Sequence, residues 1–279
     1  FDVKRSGFTV RDIHFNKSSY QAIYLRSGVT DFLLENSRIT GGEAVDGYSN
    51  NHNAIIRNNS FVAGGSIGIS LSGNNMVVEN NSLNVEGGSV NTAISIRGKN
   101  NVINNNILGS TNARSISFTA ILATGDSTYI ENNTINTYAF GIEARSPSSS
   151  NVNYVVISNN TLGSLTGSNG GNSDGIIVRG FNNAEIYNNN ITGHPDLSRG
   201  IRINSSGGNI YNNRIRINRF DGIYINTSDS SPELNIVNNT IVKTGSYGNH
   251  ANIKVLNDGT TSPVRILNNI MVMPETTNT

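Results

Sequence analysis

The chain of 279 residues contains no cysteine and few charged side chains. Without cysteine it has no disulfide framework, no thiolate nucleophile and no cysteine-bound metal. Charged residues make up only 14% of the sequence, and the formal net charge is +1. This composition argues against nucleic-acid binding through a basic surface. No apolar run predicts a membrane span, and no polybasic segment predicts a membrane anchor.

Helical periodicity is also lacking, because no stretch has apolar residues at the 3.6-residue spacing of an amphipathic helix. The chain instead repeats two short phrases. The first is hydrophobic-x-Asn-Asn-x-hydrophobic, with clear copies starting at Ile56, Val78, Ile130, Ile157 and Ile236. The second is a small residue followed by alternating apolar residues, as in Gly222-Ile223-Tyr224-Ile225. Alternation with a period of two predicts short strands, and it excludes a helical repeat and a leucine-rich horseshoe.

The first phrase sets a register of eleven copies along the chain. Aligned on the first Asn, its positions are Asp12, Asn36, Asn58, Asn80, Asn104, Asn132, Asn159, Asn188, Asn212, Asn238 and Asn268. Steps of about 22 to 30 residues are typical of a solenoid. Each repeat predicts about three strands with β-branched residues pointing inward. Eleven coils at about 4.8 Å each predict a single elongated domain over residues 1–279, about 50 Å long.

The recurrent Asn has a structural explanation. Asn tolerates the left-handed backbone angles of a sharp bend, and its amide can bond to nearby backbone. In stacked coils the amides can also bond to one another as a ladder. We therefore predict no catalytic role for these residues.

Together these phrases resemble the right-handed parallel β-helix superfamily, the pectin-lyase-like fold, over essentially the whole chain. The resemblance implies an all-β solenoid of three-strand coils, with an Asn ladder between the second and third sheets. It also implies that the Gly-Ile-x-Ile strands form the first sheet, along which the superfamily's saccharide groove usually runs. Function stays open, because sugar hydrolases, lyases, epimerases, phage tailspikes and adhesins share this fold.

The outward positions of the first sheet carry a row of arginines over the middle coils. We call this set the Arg row; it comprises Arg97, Arg145, Arg179 and Arg202. Glu143 lies beside the row, and Tyr224 follows one coil later. Guanidinium groups match carboxylates, so the row could hold an acidic polysaccharide, and Tyr224 could stack on a sugar ring. The alternative is a solvated, partly self-neutralised strand face.

Three successive coils have Asp174, Arg199 and Asp221 immediately before the glycine of the second phrase. Stacking places the two aspartates about 9 to 10 Å apart, near the upper end of the acid–base spacing in inverting glycosidases. Asn172-Ser173-Asp174-Gly175 resembles the Asn-Thr-Asp-Gly signature of polygalacturonases, which implies that Asp174 is a catalytic carboxylate. The later Gly-His-Gly and Arg-Ile-Lys motifs of that family are missing. The alternative is an Asp-Arg-Asp ion-pair ladder that holds neighbouring turns.

Two further catalytic candidates, His194 and Asp196, occur together in the loop that leads to Arg199. A loop histidine near carboxylates can act as a general acid or base, although most loop histidines are merely exposed. A lyase would instead use Arg145, Arg179 or Arg202 as base and as partner of the substrate carboxylate. The face lacks the acidic cluster that calcium requires, so we predict no metal and no cofactor.

Three functions therefore stay open: a polysaccharide hydrolase or lyase, a virion tailspike or receptor-binding fibre, and a structural or adhesive rod without catalysis. The abundance of Asn, Ser, Thr and Gly with low charge favours an extracellular or virion surface. The chain begins at Phe1 without a methionine, and neither end resembles a capping repeat. We therefore expect further chain, or the partners of a homotrimer, to cover its open ends.

Overall fold

The computed structural model describes residues 1–16, 21–65, 67–86, 92–110, 119–136, 138–147, 153–165, 173–193, 199–218, 220–227, 231–245, 250–257 and 263–273. Within these ranges the chain forms 33 short strands, which make three parallel sheets of eleven strands each. Each coil contributes one strand to each sheet in turn, so neighbours within a sheet are three strands apart in sequence. The predicted all-β parallel solenoid is confirmed.

The first sheet, which carries the Gly-Ile-x-Ile phrase, contains β1 (Asp2–Val3), β4 (Ile23–Leu25), β7 (Val45–Gly47), β10 (Ile67–Ser72), β13 (Thr92–Arg97), β16 (Thr119–Thr124), β19 (Phe140–Arg145), β22 (Asp174–Arg179), β25 (Arg199–Asn204), β28 (Asp221–Thr227) and β31 (Ile253–Asn257). Its longest strands lie in the middle and C-terminal coils, where the candidate site residues are found.

The second sheet contains β2 (Thr9–Arg11), β5 (Leu33–Glu35), β8 (Ile55–Arg57), β11 (Val77–Glu79), β14 (Val102–Asn104), β17 (Thr128–Glu131), β20 (Tyr154–Ser158), β23 (Asn183–Tyr187), β26 (Gly208–Tyr211), β29 (Leu234–Val237) and β32 (Val264–Leu267). The third contains β3 (His14–Asn16), β6 (Arg38–Thr40), β9 (Ser60–Ala63), β12 (Ser82–Val85), β15 (Ile107–Ser110), β18 (Thr134–Asn136), β21 (Thr161–Leu165), β24 (Asn190–Gly193), β27 (Arg214–Ile217), β30 (Thr240–Lys243) and β33 (Ile270–Val272).

The core is a stack of aliphatic rungs. In the first sheet Ile142, Ile176, Ile201 and Ile223 pair in successive strands, and each is fully buried. Burying one such side chain contributes about 2 kcal/mol, so the same register repeated coil after coil accounts for the stability of the rod. Because side chains alternate along a strand, the residue after each of these isoleucines points outward.

The small residue of the second phrase is required by the close approach of adjacent coils. A Cβ atom on Gly175 would lie 2.5 Å from the carbonyl oxygen of Gly200, and one on Gly200 would lie 2.6 Å from that of Gly222. Both separations are shorter than van der Waals contact. Glycine therefore allows the coils to stack at this corner, next to Asp174, Arg199 and Asp221, which precede these glycines in the sequence.

The Asn phrase divides two roles between its consecutive residues. The first Asn has the left-handed backbone, with φ near +55° at Asn58, Asn132 and Asn238. The second Asn points inward and forms a buried ladder, which comprises Asn59, Asn81, Asn106, Asn133, Asn160, Asn189, Asn213 and Asn239, and continues to Asn269. The prediction treated both roles as properties of the first Asn, whereas the ladder belongs to the second.

The predicted register is wrong by one residue in the fifth coil. Asn104 ends β14 and pairs with Glu79, so it still belongs to the strand. Asn105 has the positive φ of 54°, and Asn106 is the ladder residue. The run of three Asn residues makes the register ambiguous in the sequence, and strand pairing with the neighbouring coils decides it.

Candidate functional site

A single buried carboxylate, that of Glu143, orients both Arg145 and Arg179. Glu143 occupies an outward position of β19, yet its side chain is only 7% exposed because the two guanidinium groups cover it. Its Oε1 accepts hydrogen bonds of 2.8 Å from Nε of both arginines, and Oε2 accepts one of 3.0 Å from Arg145 Nη2. Burial raises the pKa of Glu143, but the two arginines outweigh that effect and lower it overall. Glu143 is therefore ionised at neutral pH.

A second buried carboxylate, Asp174, lies one coil beyond Arg145 and also faces two arginines. It is the first residue of β22 and pairs with Arg199, the first residue of β25. Asp174 Oδ1 lies 3.4 Å from Arg199 Nη1, and Oδ2 lies 3.7 Å from Arg202 Nη1. Burial raises the pKa of Asp174 more than the two arginines lower it, since the side chain is only 1% exposed.

Tyr224 is in contact with the same two arginines. The Arg199 guanidinium carbon lies 4.4 Å from the ring centroid, and that of Arg202 lies 5.9 Å away. These are cation–π distances, so one face of the ring is occupied by arginine. Tyr224 therefore helps to orient the guanidinium groups, and the predicted stacking of this ring on a sugar stays a prediction.

Asp221 stacks one coil beyond Arg199, as the register predicted. Its side chain is 2% exposed, and Oδ1 accepts a hydrogen bond of 2.9 Å from the Ala251 backbone. The same oxygen lies 3.5 Å from His250 Nδ1, so among the described residues the side chain at ion-pair distance from Asp221 is His250 and not Arg199. The proposed Asp-Arg-Asp ladder is thus realised only on the Asp174 side.

Sequence reasoning missed His250 and Lys243. Lys243 is buried at the end of β30 and donates a 3.0 Å hydrogen bond to the His250 carbonyl oxygen. Burial lowers the pKa of Lys243, and the charge of Asp221 partly offsets this effect. The structure brings His250 to this site because Ile223 pairs with Ile253, which places the residues just before β31 next to Asp221.

The other predicted residues are less closely assembled. Arg97 is exposed and lies in the same outward column as Arg145, but Thr124 stands between them. His194 and Asp196 lie outside the described residues. The face therefore contains two arginine–carboxylate clusters, Arg145–Arg179–Glu143 and Arg199–Arg202–Asp174, with Arg97 two coils away. The two clusters together contain four arginines and two carboxylates, so they have a net positive charge.

No group of three or more His, Asp or Glu side chains among the described residues is arranged to hold a metal ion. In the same part of the chain, no helix has the length and apolar character of a membrane span.

Residues 92–269 match a family model described as right-handed beta helix region. This segment covers most of the chain and includes both arginine–carboxylate clusters. Comparisons with curated proteins and with solved structures found no match.

Proposed function

The chain belongs to the right-handed β-helix family, and from this premise we propose that the outer face of its first sheet binds an acidic polysaccharide. One observation carries the proposal: Glu143 and Asp174 are each shared by two arginines. The surface therefore has more guanidinium groups than carboxylates, and the buried carboxylates hold these groups in place before a ligand arrives. We place this activity at an extracellular or virion surface.

The hydrogen bonds already made by the arginines leave donors for a ligand. Arg145 uses Nε and Nη2 on Glu143, and Arg179 uses Nε on the same carboxylate. A guanidinium group has five N–H donors, so several stay available on each arginine. Their side chains are 51% and 39% exposed, which leaves them accessible to a carboxylate or sulfate group.

The shape of the surface favours a linear polymer. From Arg145 to Arg202 the arginines of the two clusters extend over two coil steps, about 10 Å along one sheet face. A polymer with repeated acidic groups can contact several arginines at once, so its affinity gains from multivalency. A single acidic sugar would contact one cluster and would bind more weakly.

The test is binding to polygalacturonate, alginate and hyaluronan, with dextran as the neutral control. We expect Arg145→Ala and Arg179→Ala each to weaken binding about tenfold or more, since a hydrogen bond to a charged group contributes about 1.5 to 3 kcal/mol. The affinity should also fall as salt is added.

Arg57→Ala is the matched control for these variants. Arg57 is an ion-paired arginine, 2.8 Å from Glu35, but it lies on the second sheet. Equal losses of affinity in the Arg57 and Arg145 variants, or no binding of any acidic polymer by the wild type, would refute the proposed face.

Cleavage of the bound polymer is a second candidate function. The favouring observation is Asp174, because a carboxyl group whose pKa is raised can act as a general acid. Asp221, two coils away, would be the companion carboxylate. At 1% and 2% exposure, both would need the side chains that cover them to move before a sugar could reach them.

Cleavage is tested by incubating the protein with the same polymers and measuring new reducing ends and the ultraviolet absorbance of unsaturated uronates. Reducing ends alone would indicate hydrolysis, and we then expect Asp174→Asn and Asp221→Asn to lose activity while binding is retained. Both signals together would indicate elimination and direct attention to the Arg row. Binding without either signal would favour an adhesive or receptor-binding rod.

A further inference from the structure

A separate pocket lies on the same sheet face, closer to the N-terminus than the two arginine–carboxylate clusters. It has a volume of about 200 Å³ and is lined mainly by Asp46, Tyr48, Ser70, Ser95 and Arg97. We call it the Tyr48 pocket. Tyr48 is 71% exposed at its rim, and the pocket has none of the catalytic residues predicted from the sequence.

The register places the pocket in line with the clusters. Asp46, Ser70 and Ser95 occupy successive outward positions in β7, β10 and β13. The same column continues through Leu122 to Glu143. Ser95 and Glu143 are thus two coil steps apart, about 10 Å, and a single extended polymer can contact both.

The charge of the pocket differs from that of the clusters. Asp46 is close enough to Glu43 for their charges to repel, and Gln21 Nε2 donates to Asp46 Oδ2 at 3.4 Å. Burial raises the pKa of both carboxyl groups, and the charge of Asp46 raises that of Glu43 further. Among the described residues neither carboxylate has an ion-pair partner, and Arg97 is the one cationic side chain that lines the pocket.

An acidic sugar would be disfavoured in this pocket, because it would add a third carboxylate to Asp46 and Glu43. A neutral sugar would be favoured. Its hydroxyl groups can donate to Asp46 and accept from Arg97 and the serines, and its ring can pack on Tyr48. The lining therefore matches an uncharged, hydroxyl-rich ring and opposes a uronate.

We infer that the Tyr48 pocket is a neutral-sugar subsite, so that the ligand is a heteropolysaccharide that contains both acidic and neutral sugars. This inference rests on the proposed function, since it assigns the acidic sugars to the arginine–carboxylate clusters. It narrows the ligand class, because polymers built entirely from uronates would leave the Tyr48 pocket empty or be repelled by it.

The chain contains no tryptophan, which allows a direct reporter. In the Tyr48→Trp variant the only indole stands at the pocket rim. We expect hyaluronan oligosaccharides, which alternate uronate and neutral sugars, to shift its emission to the blue and to protect it from acrylamide quenching. Polygalacturonate oligosaccharides of equal length should cause neither the blue shift nor the protection from quenching. The Tyr129→Trp variant, which places an exposed indole on the second sheet, is the matched control and should stay silent.

A pocket-filling variant provides the affinity measurement. Ser95→Leu should be tolerated by the fold, because Leu122 occupies the same outward position one coil later. We expect it to weaken hyaluronan binding about tenfold and to leave polygalacturonate binding and its salt dependence unchanged.

The outcomes separate this inference from the proposed function. Loss of binding in Arg145→Ala, with a silent Tyr48→Trp reporter and an unaffected Ser95→Leu variant, would overturn the pocket and keep the acidic face. A reporter that responds to dextran oligosaccharides while no acidic polymer binds would keep the pocket as a neutral-sugar site and overturn the acidic face. If the Tyr48→Trp emission does not change with hyaluronan, polygalacturonate or dextran oligosaccharides, the pocket assignment is overturned.

Discussion

Replacing one residue of the Asn ladder should destabilise the rod far more than replacing its neighbour in sequence. Asn133→Ala removes a buried amide, whereas Asn132→Ala removes an exposed one that has a φ of 56°. The two variants have identical changes in composition and lie in the same turn. The larger loss expected for Asn133→Ala is therefore the contribution of the buried ladder, beyond the backbone penalty and the exposed hydrogen bond lost in Asn132→Ala.

The expected magnitude follows from the contacts of Asn133. Its Oδ1 accepts from the backbone N–H and side-chain amide of Asn106, and its Nδ2 donates to Ile103, Glu131 and Asn160. Some partners keep other bonds, since the Asn106 amide also donates to Val78. The backbone N–H of Asn106 would lose its partner inside the protein, whereas the carbonyl of Ile103 also belongs to the parallel pairing of β14 with β17. One stranded donor at about 1 to 3 kcal/mol, with about 1 kcal/mol for each of the lost bonds from Nδ2 to Ile103 and Glu131, predicts a loss of about 4 kcal/mol.

Asn132→Ala should cost only about 1 to 2 kcal/mol, because it places alanine in the left-handed region and loses one exposed hydrogen bond of 2.9 Å to Asn104 Oδ1. The assay is equilibrium urea unfolding followed by far-ultraviolet circular dichroism. Because a solenoid can unfold coil by coil, exchange of the Asn106 amide hydrogen serves as a local measurement. Equal destabilisation by the two variants, with unchanged Asn106 exchange in Asn133→Ala, would refute a stabilising ladder.

Three further predictions concern the sheet face and its corners. Glu143 has a lowered pKa, so the ionised carboxylate stabilises the fold above pH 4.5, and this stabilisation is lost as the pH falls through the folded-state pKa. We therefore expect the melting temperature of wild type to exceed that of Glu143→Gln at neutral pH, and the difference to shrink in acid. Asp174 has a raised pKa, so ionising its buried carboxyl group destabilises the fold as the pH rises above 3.8. We therefore expect the melting temperature of Asp174→Asn to rise relative to wild type over that range, opposite to the effect of Glu143→Gln. Gly98→Ala should destabilise by more than 3 kcal/mol, because φ is +124° and the added Cβ would overlap the Gly73 carbonyl oxygen. Gly109→Ala, whose nearest atom would lie 3.8 Å away, should stay within about 1 kcal/mol in the same urea unfolding experiment.

The arginine–carboxylate clusters explain why a charged row can coexist with a nearly neutral chain. Arg145 and Arg179 share Glu143, and this shared partner holds both guanidinium groups near the sheet. An exposed pair contributes little to stability by itself, so the buried carboxylate matters chiefly because it orients the arginines. The face is thus partly self-neutralised, as one of the two interpretations of the Arg row predicted, and binding of an acidic polysaccharide stays a proposal.

Part of the site could be read from the sequence because the register is periodic. The alternation after each inward Ile placed Glu143, Arg202 and Tyr224 in one outward column, and the strand pairing confirms that column. Periodicity could not say which arginine meets which carboxylate, because side-chain rotamers and burial decide that choice. It also could not place His250 beside Asp221, since the number of residues between a third-sheet strand and the next first-sheet strand changes from coil to coil.

The sequence by itself determined the all-β solenoid, its inward and outward faces, and the position of the bend in every coil except the fifth. A period of two within strands and recurring Asn phrases between them fix the stacking wherever the Asn pair is unambiguous. Only the tertiary structure decided the division of roles between consecutive Asn residues, the sharing of Glu143 and Asp174, and the closure of the Tyr48 pocket. The physical reason is that register depends on local alternation, whereas these features depend on contacts between side chains that are about 22 to 36 residues apart and meet only when the coils stack.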